Sequence, residues 1–239
     1  MAIQTFQTLY EYAIRHWGNA SATGDSLDLI KKLVNRAYSQ ALQKYPWRFL
    51  HATHTLSLTI GKNAYQLPED FERMVTDEIP YAEIETFKVL RRRDITTIRR
   101  WRIENEGTGQ PQVFDIIPLK YSEETGSSWK IEVYPTPGTS YSAIVYYRMN
   151  PGELVNDNHL IIGHQAFYNL VEQMVLAEIE LIEDEKVGPQ NAKVSVLLQD
   201  AIEQDKANEP DTLGSYLLPR SISNRDTGND YNYSNIFGS

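Results

Sequence analysis

Residues 161–182 read IIGHQAFYNLVEQMVLAEIELI, and no glycine or proline interrupts them after Gly163. Phe167, Leu170, Val171, Met174, Ala177 or Glu178, and Leu181 recur at helical spacing, while Gln165, Asn169, Glu172 and Glu180 fall largely elsewhere on the wheel. Leu, Ala, Met and Glu are good helix formers, so this is the longest regular element on offer. The chain has no run of eighteen uncharged apolar residues, so the helix faces water or protein and not lipid. Its apolar stripe is broad, which predicts burial against other elements on more than one side.

Three more helices accompany it. Residues 5–17 place Phe6, Leu9, Tyr10, Ala13, Ile14 and Trp17 on one side, and Gly18-Asn19 ends the run. A second helix runs to about Lys44, with Asp25 or Ser26 expected as its cap and Asp28 in the first turn. Pro46 stops it, and Trp47, Phe49 and Leu50 follow as a hydrophobic plug. The main helix closes around Val187-Gly188-Pro189, and a last one spans residues 190–206, so a helical hairpin is expected.

Between the helical pairs the period changes to two. Residues 53–60, 112–118, 130–134 and 140–147 read as strands, with 86–90 and 99–103 as weaker strand candidates. The expected fold is α+β. A four-helix core (1–50 plus 160–207) carries an antiparallel β-rich insertion (51–159) between its helix pairs, followed by an extended C-terminal tail (208–239). That tail is rich in Gly, Asn and Ser, with apolar and aromatic anchors at intervals. Such a composition suits a segment that orders along a partner.

Several kinds of chemistry are absent from the pattern. The chain has no cysteine, which excludes disulfides and thiolate catalysis. His159 and His164 match no zinc spacing, and His51 and His54 fall on opposite faces of a strand. There is no GxSxG elbow, and the glycines of residues 105–111 lack the GK[ST] ending of a phosphate loop. No catalytic, cofactor or metal residues are assigned, so the expected protein is not an enzyme. The first residues lack the basic and apolar regions of a secretory signal.

Charge is unevenly distributed. The net charge is −9, yet residues 88–104 hold Lys88, Arg91, Arg92, Arg93, Arg99, Arg100 and Arg102 against Asp94 and Glu104, a local net of +5. Residues 172–185 hold Glu172, Glu178, Glu180, Glu183, Asp184 and Glu185 and no base. A basic patch on one copy facing an acidic patch on the next would set the register of a head-to-tail ring. Two ordinary solvated surfaces would carry the same charges. Fifteen Tyr against seven Phe also suit extensive protein contact.

Residues 29–50 (LIKKLVNRAYSQALQKYPWRFL) resemble the early helix and aromatic plug of head-to-tail adaptor, or connector, proteins of tailed bacteriophages. The resemblance continues through Tyr65, Leu67, Pro68, Asp70 and Phe71, then residues 129–135 and 143–148, and covers most of 25–205. It implies a virion structural protein at the head–tail interface, made in the host cytoplasm, forming a ring of about twelve copies. The ring would sit beneath the portal, bind tail or neck proteins, and let the double-stranded genome pass through its lumen, with only non-specific DNA contact and no membrane.

Carried over, Leu29, Ile30, Val34, Ala37, Trp47 and Phe49 would be core. Leu213, Tyr216, Leu217, Leu218, Tyr231, Tyr233, Ile236 and Phe237 would contact the portal. Arg91, Arg92, Arg93, Arg99, Arg100, Arg102, Glu178, Glu183, Asp184 and Glu185 would lie at subunit interfaces or face DNA. Other neck or tail roles (a gatekeeper, a tail-tube-proximal protein) and a monomeric binding protein fit the same layout.

Overall fold

The computed structural model describes residues 4–16, 23–82, 89–122, 126–184 and 188–207, and all that follows concerns these. In chain order the elements are α1 (Phe6–His16), α2 (Asp25–Lys44), a 3-10 turn (Arg48–Leu50), β1 (His51–Leu58), β2 (Ala64–Gln66), β3 (Phe71–Met74), β4 (Glu78–Pro80) and β5 (Val89–Arg92). Then come α3 (Ile95–Glu104), β6 (Thr108–Gly109), β7 (Val113–Ser122), β8 (Gly126–Tyr134), β9 (Thr136–Pro137), β10 (Tyr141–Met149), α4 (Gln165–Asp184) and α5 (Pro189–Lys206).

Two clusters of buried side chains follow from this order. The first draws Leu9 and Ala13 from α1, Ile30, Val34, Ala37 and Tyr38 from α2, Phe167, Val171 and Val175 from α4, and Ala201 from α5. Trp47 sits at its centre, fully buried, with rings from Phe49 and Phe167 at 5.6 and 5.1 Å and its indole N–H donated to the Ala41 carbonyl. Truncating such an aromatic costs about 3–5 kcal/mol, so this plug is the helical cluster's main anchor. Gly163 precedes α4 with φ 143°, and a Cβ there would meet the Phe167 ring at 2.6 Å. Only glycine lets the chain turn onto the helix that close to Phe167.

The second cluster lies on the sheets, with Leu58, Ile79, Leu90, Phe114, Ile131 and Val145 all sealed from solvent. One sheet has the order β1-β10-β3 and another β2-β8-β7-β5-β4, with a two-stranded ladder of β6 and β9. Arg148 of β10 joins the two clusters. Its guanidinium donates to the Leu42 carbonyl at the end of α2 (2.9 Å) and pairs with Glu72 of β3 (3.1 Å). No described helix is long and apolar enough to cross a membrane.

Four local expectations are corrected. Residues 99–103 are not a strand but the second half of α3. The Asp94 carboxylate accepts the N–H groups of Thr96 and Thr97 as an N-cap, and Ile98 is fully buried. The β-rich part is not purely antiparallel, because β5–β7 and β6–β9 pair in parallel. The two errors are linked: a helix between β5 and β7 is the crossover that parallel neighbours need. Neither Asp25 nor Ser26 caps α2, whose N-cap is Gly24 without a side-chain bond, although Asp25 and Asp28 do occupy the first turn. Leu29 is 42% exposed, one step off the buried stripe of Ile30, Leu33 and Val34. The strand candidate 86–90 begins outside the described residues, as does Trp17.

Candidate assembly surface

The arginine-rich segment divides into side chains used within the fold and side chains left over. The turn between β5 and α3 carries Arg93 and Asp94, and once Asp94 caps α3, Arg99 and Arg102 fall one turn apart on the face over β8. Both reach Glu132 of β8, at 3.1 Å each, and Lys130 adds a third contact at 3.2 Å. Glu132 is almost fully buried. Burial pushes its carboxyl upward, but the hydrogen bonds from Arg99, Arg102 and Lys130 outweigh that and hold it below the usual carboxylate range. Arg102 also donates to the Val133 carbonyl. This clamp pins α3 to the sheet.

Arg92 is held more loosely, by Asp115 of β7 at 3.1 Å and Asp77 at 3.7 Å, and Arg91 by Glu78 at 3.5 Å in an exposed pair. Exposed pairs of this kind contribute about 0–1 kcal/mol, so these arginines can change partner at little cost. Arg93 and Arg100 form no ion pair among the described residues. A shallow basin of about 540 Å³ is lined by Asp77, Arg92, Arg93, Asp94 and Asp115.

The acidic stretch is divided in the same way. Glu178 is buried against α2, accepting from Gln40 at 3.1 Å with Arg36 at 3.5 Å. Glu180 accepts the Gln190 N–H at the start of α5, and Glu172 is bonded to Gln4. Glu178 and Glu180 join helices of one chain, and Glu172 ties α4 to the residue stretch just before α1. The side chains of Glu183 and Asp184, and the whole of Glu185, lie outside the described residues. So do Leu213, Tyr216, Leu217, Leu218, Tyr231, Tyr233, Ile236 and Phe237.

Sequence reasoning missed Glu132, Asp205 and Arg148. Alternation in KIEVY sets Glu132 on the face opposite Ile131 and Val133, which reads as solvent-facing until α3 covers it, so only the nearby arginine pair hinted at its role. Asp205 is equally buried, and its carboxylate accepts the Arg48 N–H. His164 stands just before α4, where its Nδ1 accepts the Phe167 N–H at 3.3 Å, between the rings of Trp47 and Phe49. It is a cap and packing residue. Among the described residues no three His, Asp or Glu side chains are grouped to hold a metal.

Capping, ion pairing and apolar packing account for the chemistry of this surface, which is that of a structural subunit. The family model for the SU10 adaptor protein matches residues 4–218, and the chain belongs to that family of phage head-to-tail connector proteins. Its role is therefore structural, of the phage neck and adaptor type. The match runs through both buried clusters and on to Leu218, past the residue-205 limit of the sequence resemblance. No curated protein matches the chain.

Proposed function

We propose that this chain forms the ring that joins the portal at the capsid vertex to the tail and lets the genome pass through its lumen. The observation that carries the reading is the family match over residues 4–218, because it takes in the helical cluster and the β-rich part together. In this reading residues 1–50 plus 160–207 act as the helical body, 51–159 as the β-rich insertion and 208–239 as the partner-binding tail, in a virion.

Two features of the described surface support assembly. Leu181, Ile182 and Val196 expose 41–63% of their surface on the α4–α5 hairpin, where a neighbour would cover them. Arg93 and Arg100, without an ion pair among the described residues, supply the basic side of a contact between copies, with Arg91 and Arg92 able to join them. Glu183, Asp184 and Glu185 are the acidic side. Arg99, Arg102 and Glu178 serve the fold of their own chain in this reading. Leu213, Tyr216, Leu217, Leu218, Tyr231, Tyr233, Ile236 and Phe237 are the portal contacts in this reading. The acidic net charge suits a lumen through which DNA slides, since few phosphate contacts mean little friction.

Native mass measurement of the full chain, alone and mixed with a portal ring, tests this. A closed ring of about twelve copies, formed alone or on the portal, is the expected result. A chain that stays monomeric in the presence of portal rings overturns it.

A further inference from the structure

Three basic residues stand in one row across three neighbouring strands. In the sheet of order β1-β10-β3, His51 lies opposite Arg148, and Arg148 lies opposite Arg73. The adjacent row, Ala52, Tyr147 and Met74, packs on the sheet cluster. Side chains alternate between the faces of a strand, so the basic row projects from the other face. Neighbouring strands stand about 4.8 Å apart, and the row spans about 10 Å.

Like charges set directly opposite each other weaken strand pairing, and this fold does little to offset them. Glu72 is the extra residue of β3 where the register slips between Arg148 and Met149, and its carboxylate stands 3.1 Å from the Arg148 Nε. The Nε–H is nevertheless not aligned on it, and makes no hydrogen bond among the described residues. Of the Arg148 guanidinium N–H groups, only the one donated to the Leu42 carbonyl has an acceptor there. Neither the Arg73 side chain nor the His51 ring has an ion pair or a hydrogen bond among the described residues.

The row opens into a cavity of about 280 Å³ lined by His51, Arg73, Met74, Val75 and Arg148. Arg148 is only 9% exposed, whereas His51 and Arg73 are exposed, so a guest would rest on Arg148 between the other two. A buried guanidinium with donors unspent is costly, and an anion in the cavity would take them up. The His51 imidazole already responds to its neighbours. Burial, then Arg48, Arg148 and Arg73, lower its pKa, while Asp205 opposes them.

We infer that this cavity binds a phosphate group, seated on Arg148 and flanked by Arg73 and His51. A carboxylate offers two coplanar oxygens, which a single arginine fork satisfies. Basic groups from three strands call for an anion whose oxygens point in several directions, as those of a tetrahedral phosphate do. The charges agree. Arg73 and Arg148 less Glu72 leave one positive charge, and a proton on His51 adds a second, which suits a phosphate mono- or dianion. The phosphate is either free or a phosphodiester of a nucleic acid backbone, since the recognised group is the same. The inference stands whether or not the chain forms a ring.

Equilibrium dialysis of the full chain against radiolabelled inorganic phosphate, at ionic strength held constant with chloride, tests this. Saturable binding of one phosphate per chain, with a Kd on the order of 1 mM or tighter, is the expected result. Arg148 also joins the two buried clusters, so the variants are made at exposed positions. Arg73→Gln should weaken binding by about tenfold or more, and Arg93→Gln, on the other basic surface, should leave it unchanged. No saturable binding, equal loss in the two variants, or displacement by equimolar acetate overturns the inference.

A short DNA duplex added as competitor separates the two sources: displacement of the bound phosphate supports a backbone phosphodiester, and retention supports free phosphate. The imidazole of His51 gives a second readout, identified among the five histidines by the nuclear magnetic resonance signal lost in His51→Asn. Phosphate should raise the pH at which that signal titrates, because a nearby anion favours the charged ring. A His51 titration that phosphate does not move places the anion elsewhere and overturns the assignment.

Discussion

The carboxylate of Asp205 accepts the main-chain N–H of Arg48 from both oxygens, at 3.0 and 3.3 Å, across 157 positions of sequence. It fastens the last turn of α5 to the 3-10 turn that leads into β1. The bond is therefore a rivet between the final helix and the junction of the two buried clusters.

Replacing Asp205 with Ala removes the buried carboxylate that accepts this N–H and should cost about 1–3 kcal/mol. Asp205→Asn keeps an acceptor oxygen and should cost less than half as much. Urea midpoints of the two variants measure the difference, and equal losses would show that burial, not the bond to Arg48, is what matters at this site.

Glu132 predicts an acid-labile attachment of α3. Its folded carboxyl is held low by Arg99, Arg102 and Lys130 once burial has been overcome. A depressed carboxylate contributes stability that is complete above its unfolded value, about 4.3, and is lost as pH falls through the folded one. Unfolding followed from pH 6 to pH 3 should show this loss, and Glu132→Gln should flatten it while lowering stability at pH 6 by about 1–3 kcal/mol. Arg102→Ala should destabilise more than Arg99→Ala, because the Arg99 side chain is 54% exposed and screened while that of Arg102 is 24% exposed.

His164 adds a second slope at milder pH. Burial lowers its pKa below the ordinary value, while Asp205 and Gln204 pull the other way. Neutral His164 can accept the Phe167 N–H; protonated, it cannot. With the folded value below the unfolded one, stability is full above about pH 6.5 and declines as pH drops toward the folded value, since only the unfolded chain takes up the proton. His164→Asn retains a capping oxygen and should lessen this decline between pH 7 and 5. His51, lowered by burial and by Arg48, contributes a slope of the same sign that should remain.

The arginines should separate into two classes. Arg93→Glu with Arg100→Glu should leave the chain's unfolding midpoint within about 0.5 kcal/mol of the original and reduce ring formation, the more so at low salt. Arg99→Glu with Arg102→Glu should destabilise the chain itself by setting acids against Glu132. Light scattering with and without portal, beside thermal melts, distinguishes the two. Normal assembly by the Arg93 and Arg100 variant would remove both from the interface.

Much of the helical part was legible because a helix facing a core declares itself every third or fourth residue. Phe167, Val171 and Met174 did so, and the stops at Pro46 and Gly188-Pro189 are backbone facts that no packing can reverse. The β-rich part was legible where alternation was strong, as at Val145 and Tyr147, and failed at α3. Ile95, Thr96, Thr97, Ile98 and Ile103 are β-branched and favour a strand locally, and the cap from Asp94 and the burial of Ile98 overrule them. Mistaking that helix concealed the crossover, and with it the parallel pairing of β5 and β7.

By itself, then, the sequence determined the courses of α2, α4 and α5, most of the stripes they bury, and that one segment is basic and another acidic. Only the tertiary structure decided which of those charges are committed. Arg99, Arg102 and Glu132 are paired because a helix and a strand far apart in the chain are stacked face to face, and Glu178 is buried because α2 lies across α4. Periodicity is a property of neighbours along the chain, whereas an ion pair depends on distances in space, and those are set only when the elements pack.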